Sequence, residues 1–492
     1  MKLSRLFIAL TLVAGLHAQS VRFDALPLNA APGSTTPAIA SAYDGSLYVS
    51  WIEPLANNAG HTLRLAQFDH EADSWAAPRT VAAGADWFIN GADTPPGSAG
   101  LRGKVVATWY VKDPSGGHAY HAVYATSEDH GQTWSPPAPI TSESTVTEFV
   151  SIAPLSNGEW LTIWLDGRAH ATDGPIQLRS RLLGSDETDT LIDDRVCDCC
   201  NIAPLVLPNG AILIAYRDRS DDETRDFAFQ RYSRGTWSPA KAPPADGWQI
   251  AVCPVNGAHL SRRGAHVVAA WFASADDNPK VMTARSNNIG NSWNLAGQVS
   301  DPAIKPLGRV ASAVTRDGSQ WISWVEVTGD LALRRLGSDG VMPAIDRLPL
   351  PADNALPGPH ARPRLTLLDN RSDTPARLLI ARPESHGIAT YIATLPLDEG
   401  AAVDDCGCGP SEAATRGHAL RGQIKSILTD RNALVVAHEE IPGVMKAMTM
   451  RFQVDPRVLP LVAADQQIMA RMERREDGKW WLFNIRLLNR SP

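Results

Sequence analysis

The residues best able to do chemistry cluster near the C-terminus, in His438-Glu-Glu-Ile-Pro-Gly-Val-Met445-Lys-Ala-Met448-Thr-Met450. One imidazole and three thioethers fall within thirteen positions of a 492-residue chain that has eight Met. Met448 and Met450 are two apart, so on a strand both side chains share a face. Thioethers are soft ligands that suit Cu(I) or Ag(I) and offer little to Mg²⁺ or Ca²⁺. The residue types therefore point to a cuprous site. The plainer alternative is packing, since Met is common core filler and Met-x-Met on a strand can simply be buried. The flanks favour the metal. Val435-Val436-Ala437-His438 reads as a strand ending in His; an acidic loop with Pro442 and Gly443 then delivers Met445 to the Met448–Met450 strand.

From about Gly417 to Leu488 this pattern resembles the small periplasmic copper/silver-binding domains of the CusF type. The resemblance implies a five-stranded, OB-like barrel that holds Cu(I) with one His and the two Met of a Met-Thr-Met motif. Those ligands fall on His438, Met448 and Met450. One departure stands out: efflux-type members cap the metal with a Trp three residues before Met-Thr-Met, and Met445 stands there. Met445 is either a fourth ligand or the site is three-coordinate and more open. Trp480 and Trp481, on a later apolar run, read as core rather than cap.

A second candidate is Cys197-Asp-Cys199-Cys200, followed by Cys253. Four converging thiols would suit Cu(I) or Zn²⁺. Disulfides compete with that reading, because exported proteins oxidise thiols and the chain has six Cys, an even number. Cys406-Gly-Cys408, in an acidic, Ala/Gly-rich stretch, reads as a strained disulfide or an ordinary thiol pair, with a mobile metal relay as the alternative.

The elements that must position these groups repeat along the chain. A turn Gly followed by an alternating strand with an aromatic recurs six times, at Gly45/Trp51, Gly103/Trp109, Gly158/Trp164, Gly210/Tyr216, Gly264/Trp271 and Gly318/Trp324. A period near fifty residues, built from short strands and Gly/Asn/Asp turns, predicts a propeller with about four strands per blade. Six blades follow from the six repeats. By the same repeat, Cys200 and Cys253 fall near the start of the equivalent strand in neighbouring blades, at one rim of the channel. Ser127-Glu-Asp-His-Gly131-Gln-Thr-Trp134 has the Asp-box pattern and Ser286 to Trp293 nearly so, with remnants at Asp73–Trp75 and Gly235–Trp237. This resembles the sialidase-like six-bladed propellers over roughly residues 25–398. Such boxes are peripheral hairpin turns and indicate fold, not activity. Sialidase chemistry would need an Arg cluster, a Tyr–Glu pair and an Asp. The stretch where the family places its first Arg reads Thr35-Thr36-Pro37-Ala38, and Arg168, Arg217 and Arg219, which could line the mouth, complete no such set.

Lys2 and Arg5 precede an apolar run from Leu6 to Leu16, which reads as a secretory signal cleaved after Ala18. No later stretch approaches the roughly 18 apolar residues that span a bilayer. A net charge of −7 without a basic tract argues against nucleic acid. Single histidines such as His259, His266 and His360 form no spaced zinc pair and read as ordinary surface or core residues.

The expectation is an exported, periplasmic, all-β protein: signal peptide 1–18, sialidase-like six-bladed β-propeller 19–398, Cys-containing linker 399–416, and OB-like five-stranded β-barrel 417–492. It is expected to bind Cu(I), with silver a second ion its ligands suit. The metal ligands would be His438, Met445, Met448 and Met450 in the barrel and Cys197, Cys199, Cys200 and Cys253 on the propeller. Its partner would be a periplasmic copper donor or acceptor. Two readings compete: a propeller that cleaves or binds glycans, and a copper-dependent redox enzyme. No catalytic set is assigned.

Overall fold

Short alternating runs broken by Gly, Asn and Asp turns fold locally into antiparallel hairpins. The computed structural model describes residues 20–396 and 418–488, apart from 43, 94–96, 101–102, 114–119, 142–145, 243–245, 338–343, 352–361, 370–374, 442–443, 455–457, 460–461 and 475–477. The leader read at 1–18, the pair Cys406 and Cys408, and His360 lie outside the described residues.

From Arg22 to Thr394 the strands form seven antiparallel sheets of four strands, the first with one more. Their innermost strands are Thr35–Ser41, Gly97–Ala99, Thr147–Pro154, Ala203–Val206, His259–Arg263, Pro306–Val314 and Arg364–Asp369, which define blades 1 to 7. Each neighbours the next, and the seventh neighbours the first, so the ring is closed. The architecture is a β-propeller, as the repeat implies, but it has seven blades rather than six.

The repeat aromatics explain both the success and the miscount. Trp51, Trp109, Trp164, Tyr216, Trp271 and Trp324 all sit buried on the second strand of blades 1 to 6. Each packs against apolar side chains of the preceding blade, as Trp164 does against Tyr110 and Tyr120, and Trp324 against Val268 and Val281. The turn glycines before them all have positive φ, which L side chains adopt only with strain. Blade 7 has neither mark. Its second strand, Arg377–Glu384, carries Arg382 at the aromatic position and Ala376 six residues earlier. Arg382 pairs with Glu384, two residues on, just as the Trp51 and Trp164 indoles donate to Glu53 and Asp166. A buried ion pair fills the place of the aromatic ring, so the sequence signature vanishes while the blade remains. Blade 7 takes its outer strand, Arg22–Leu26, from the other end of the chain.

At Ser127–Trp134 the hairpin is shaped by polar side chains. Asp129 accepts from the Thr133 hydroxyl and N–H, and the Gly131 N–H donates to Ser127 Oγ. Gly131 has φ +79°, which strains any L side chain, and a Cβ there would also press on the Leu65 methyl at 2.4 Å.

The strands His418–Leu428, Ala433–His438, Met448–Gln453, Gln467–Arg474 and Trp480–Leu488 form a closed barrel. Its interior is apolar, built around Leu420, Ile424, Leu434, Val436, Phe452, Val454, Ile468 and Met472. Trp480 packs against this core, as the apolar run around it predicts. Among the described residues no helix is long and apolar enough to cross a membrane.

Candidate metal centres and the channel mouth

Alternation along two paired strands builds the barrel site. Leu434 lies opposite Phe452, Val436 opposite Met450, and His438 opposite Met448. Cross-strand partners point to the same side, so the interior row ends in His438, Met450 and Met448 at one end of the barrel. Exposure rises along the row: Phe452 is buried, Met450 half-buried, and Met448 is 52 % exposed. Gly422 lets the neighbouring strand close beneath His438, because a Cβ there would lie 2.5 Å from the Ala437 carbonyl oxygen and 2.9 Å from the His438 Cα.

His438 itself is only 4 % exposed. Its Nδ1 lies 2.7 Å from the Glu439 carbonyl oxygen. A carbonyl only accepts, so Nδ1 donates and the lone pair belongs to Nε2. That Nε2 is buried and has no hydrogen-bond partner. A buried, unpaired acceptor costs about 1–3 kcal/mol. Neighbouring thioethers cannot donate to it, whereas a soft cation can accept its lone pair. His438, Met448 and Met450 thus fit a cuprous ion. Met445 is half-buried against the barrel core, in a tight turn where its N–H donates to the Ile441 carbonyl.

The structure also brings the propeller thiols together. Cys197–Cys200 lies on the crossover into the innermost strand of blade 4, and Cys253 on the crossover into that of blade 5. Cys197 Sγ is 3.2 Å from Cys200 Sγ and 3.8 Å from Cys199 Sγ, and all three are buried. Cys253 is exposed, and its Sγ groups within 4.8 Å of Cys199 and Asp198. All four are free thiols. Burial alone would raise Cys200, but hydrogen bonds from Cys197 and Cys199 and the charge of Arg217 hold it well below the ordinary thiol value. Three clustered sulfurs, one of them favoured to lose its proton, are a donor set suited to a soft cation. Arg225 Nη1 stands 3.5 Å from Cys197 Sγ and 3.0 Å from Asp198.

Two acids share this rim. Asp93 accepts from the Tyr110 and Tyr120 hydroxyls at 2.6 and 3.1 Å and from the Phe149 N–H at 2.8 Å. Burial pushes its carboxyl up to about 6 against those hydrogen bonds. Glu148 is pushed up to about 7, first by burial and then by the Asp93 charge. Phe149 has φ +48° beside a register shift between Glu148 and Ser151, and Thr36 and Arg309 have φ +52° and +59° at matching bulges in blades 1 and 6. Bulges and left-handed non-glycine residues of this kind concentrate beside functional sites. Asp93 and Glu148 went unnoticed in the sequence although they stand one repeat apart.

The arginines at the channel are also not those the strand ends suggest. Arg217 is buried, donating to the carbonyls of Asn256, Arg225 and Phe272 and stacking on Phe227, while Arg168 pairs with Asp166 and Asp189 and Arg219 with Glu223. Arg262, Arg309, Arg362 and Arg364 line the channel instead. So does His259, whose Nδ1 lies 3.0 Å from Ser312 Oγ.

Residues 417–486 match the family model of the copper binding periplasmic protein CusF, so the barrel is a CusF-type copper-binding domain. No curated protein matches the chain. Among solved structures the chain is similar to the BP39L lectin from Burkholderia pseudomallei, with 12% identity, a TM-score of 0.53, and coverage of 75% of this chain and 98% of the lectin. A PL25 ulvan lyase bound to a GlcA–Rha3S saccharide aligns at 14% identity and a TM-score of 0.49, over 74% of this chain and 94% of the lyase. The intramolecular trans-sialidase from Ruminococcus gnavus aligns at 10% identity and a TM-score of 0.39, over 63% and 96%. At such identities the likeness is one of propeller fold alone.

Proposed function

We propose that the protein holds Cu(I) in the periplasm at two sites and exchanges it with a donor or acceptor protein. In the barrel, His438 Nε2 and the Met448 and Met450 thioethers are the ligands, with Met445 beside them. On the propeller, Cys197, Cys199, Cys200 and Cys253 form a thiol site. The observation that carries the barrel assignment is the buried, unpartnered Nε2 of His438 at the end where Met448 and Met450 emerge. Exposed Met448 leaves the ion open to attack by an incoming ligand, so a partner's thiolates or thioethers displace the protein's ligands one at a time. Silver, equally soft, competes for the same atoms.

The test is Cu(I) stoichiometry of the mature chain, purified anaerobically, beside Met448→Leu/Met450→Leu and Cys199→Ser/Cys200→Ser. Two equivalents, one lost with each double variant, support both sites. One equivalent lost only with the Met variant confines copper to the barrel. A full complement in both variants overturns the assignment.

A second reading draws on Glu148 and Asp93, whose raised values suit general acid–base work on a glycan at the mouth. Turnover of an oligosaccharide in the presence of a copper chelator, abolished by Glu148→Gln, would favour it.

A further inference from the structure

The seven innermost strands enclose a central cavity of about 620 Å³, within the range of small-molecule sites. Among the described residues, every ionisable side chain lining it is a base: Arg262, Arg309, Arg362, Arg364 and His259. This is unusual, because closely spaced buried guanidinium groups repel one another and lose solvation. Among the described residues, the groups that hold Arg362 and Arg364 are neutral: Arg362 donates to the Val255 carbonyl at 2.6 Å and to the Asn201 side chain, and Arg364 to the Pro37 carbonyl at 3.2 Å. Such acceptors orient a guanidinium but do not neutralise it. Arg362 and Arg364 form no ion pair among the described residues. Arg362 is 5% exposed, yet its Nε has no partner. Asp93, the carboxylate whose field reaches Arg362, is already occupied by two tyrosine hydroxyls and a backbone N–H.

We infer that the central channel is a binding site for a small molecule bearing an oxyanion, phosphoryl or carboxylate, gripped by Arg362 and Arg364. Planar guanidinium forks match such oxygens in pairs. The ligand supplies the negative charge that the lining lacks and an acceptor for Arg362 Nε. His259, held neutral by burial and by the charge of Arg364, donates or accepts a hydrogen bond without adding charge.

The experiment is calorimetric titration of the metal-free mature chain at fixed ionic strength and pH 7. Inorganic phosphate and galacturonate are the probes, and galactose is the uncharged control. Saturable binding of one equivalent of either anion, and none of galactose, is expected. Phosphate alone would indicate a phosphoryl ligand, and galacturonate alone an acidic sugar. Arg362→Gln should weaken binding about tenfold or more, the loss of a charge-assisted hydrogen bond. Arg364→Gln, a less buried position, gives a second measure should Arg362→Gln fail to fold, which circular dichroism reports. Absence of saturable binding by both anions, or unchanged affinity in a folded variant, overturns the inference.

Discussion

Replacing His438 by Leu separates the stability of the barrel from its affinity for metal. In the metal-free protein the wild-type side chain holds a buried Nε2 with no partner, a cost of about 1–3 kcal/mol. Leu fills a similar volume among Phe452, Val436 and Ile441 and has no polar atom to satisfy. The hydrogen bond given up is from Nδ1 to the carbonyl of Glu439, an exposed residue that water can serve instead. The net expectation is an apo barrel more stable by about 1 kcal/mol, or about 4–8 °C for a domain of this size. Copper reverses the order. At a free Cu(I) concentration a hundred times the Kd, the wild-type barrel gains about 2.7 kcal/mol, and the variant gains almost nothing. Anaerobic scanning calorimetry of the full chain, with Cu(I) buffered by a competing chelator, identifies the barrel transition as the one that moves with metal. An apo transition below wild type would refute the account of the orphaned nitrogen. An undiminished copper shift in the variant would refute its role as ligand.

Gly422→Ala should lower Cu(I) affinity without altering a ligand, because the new methyl presses on Ala437 and His438; competition against a Cu(I) chelator reads this, and an unchanged Kd would refute it. Glu148 titrates from an ordinary 4.5 up to about 7 in the folded protein, so the native state retains a proton that the unfolded chain releases across that window. Stability should therefore fall as pH rises from 4.5 to 7, and Glu148→Gln should flatten that slope and gain about 2 kcal/mol at pH 8. Urea titrations at pH 5 and pH 8 check both parts, and equal slopes in wild type and variant would refute them. Cu(I) should protect all four propeller thiols from alkylation, counted by mass spectrometry, with Cys253 the fastest to react in the apo protein because it alone is exposed. Arg382→Leu should destabilise the propeller by about 3 kcal/mol, leaving the Glu384 carboxylate without its counter-charge and held by the Tyr391 hydroxyl; a midpoint within error of wild type would refute the role given to that ion pair.

Much of the fold was legible because packing demands recur. An aromatic ring between blades and a left-handed glycine before it are needed six times over, and the sequence carries them six times. The seventh blade meets the same demand with Arg382 and Glu384, a solution that a search for aromatics passes over. The proposed barrel ligands stand out in the sequence because soft donors are rare and their spacing on a strand is informative. What stayed hidden was the mouth of the channel. Asp93, Glu148, Asp198, Cys253, Arg309 and Arg362 stand at or just before successive innermost strands at roughly the repeat period, yet run through carboxylates, a thiol and guanidinium groups. A repeat conserves the backbone that presents a side chain, not the side chain itself. His259 illustrates the same limit: beside a turn in the sequence it reads as an ordinary residue, and ring closure places it on the channel wall.

The strand Arg22–Leu26, which completes blade 7, sets the order in which the molecule can assemble. Leu26 and its partner Thr390 are 364 positions apart, so a polypeptide being made cannot close the ring until nearly the whole propeller has emerged. Until then Gly387–Thr394 presents an unpaired edge, the kind of surface that recruits other strands. The barrel pairs its strands over far shorter separations, and short-range contacts form faster. Its His438 and Met448 therefore meet as soon as their own hairpin forms, without waiting for the ring. Formation of the barrel hairpin is in this way uncoupled from closure of the ring, and a chain still completing its propeller can already hold His438 opposite Met448.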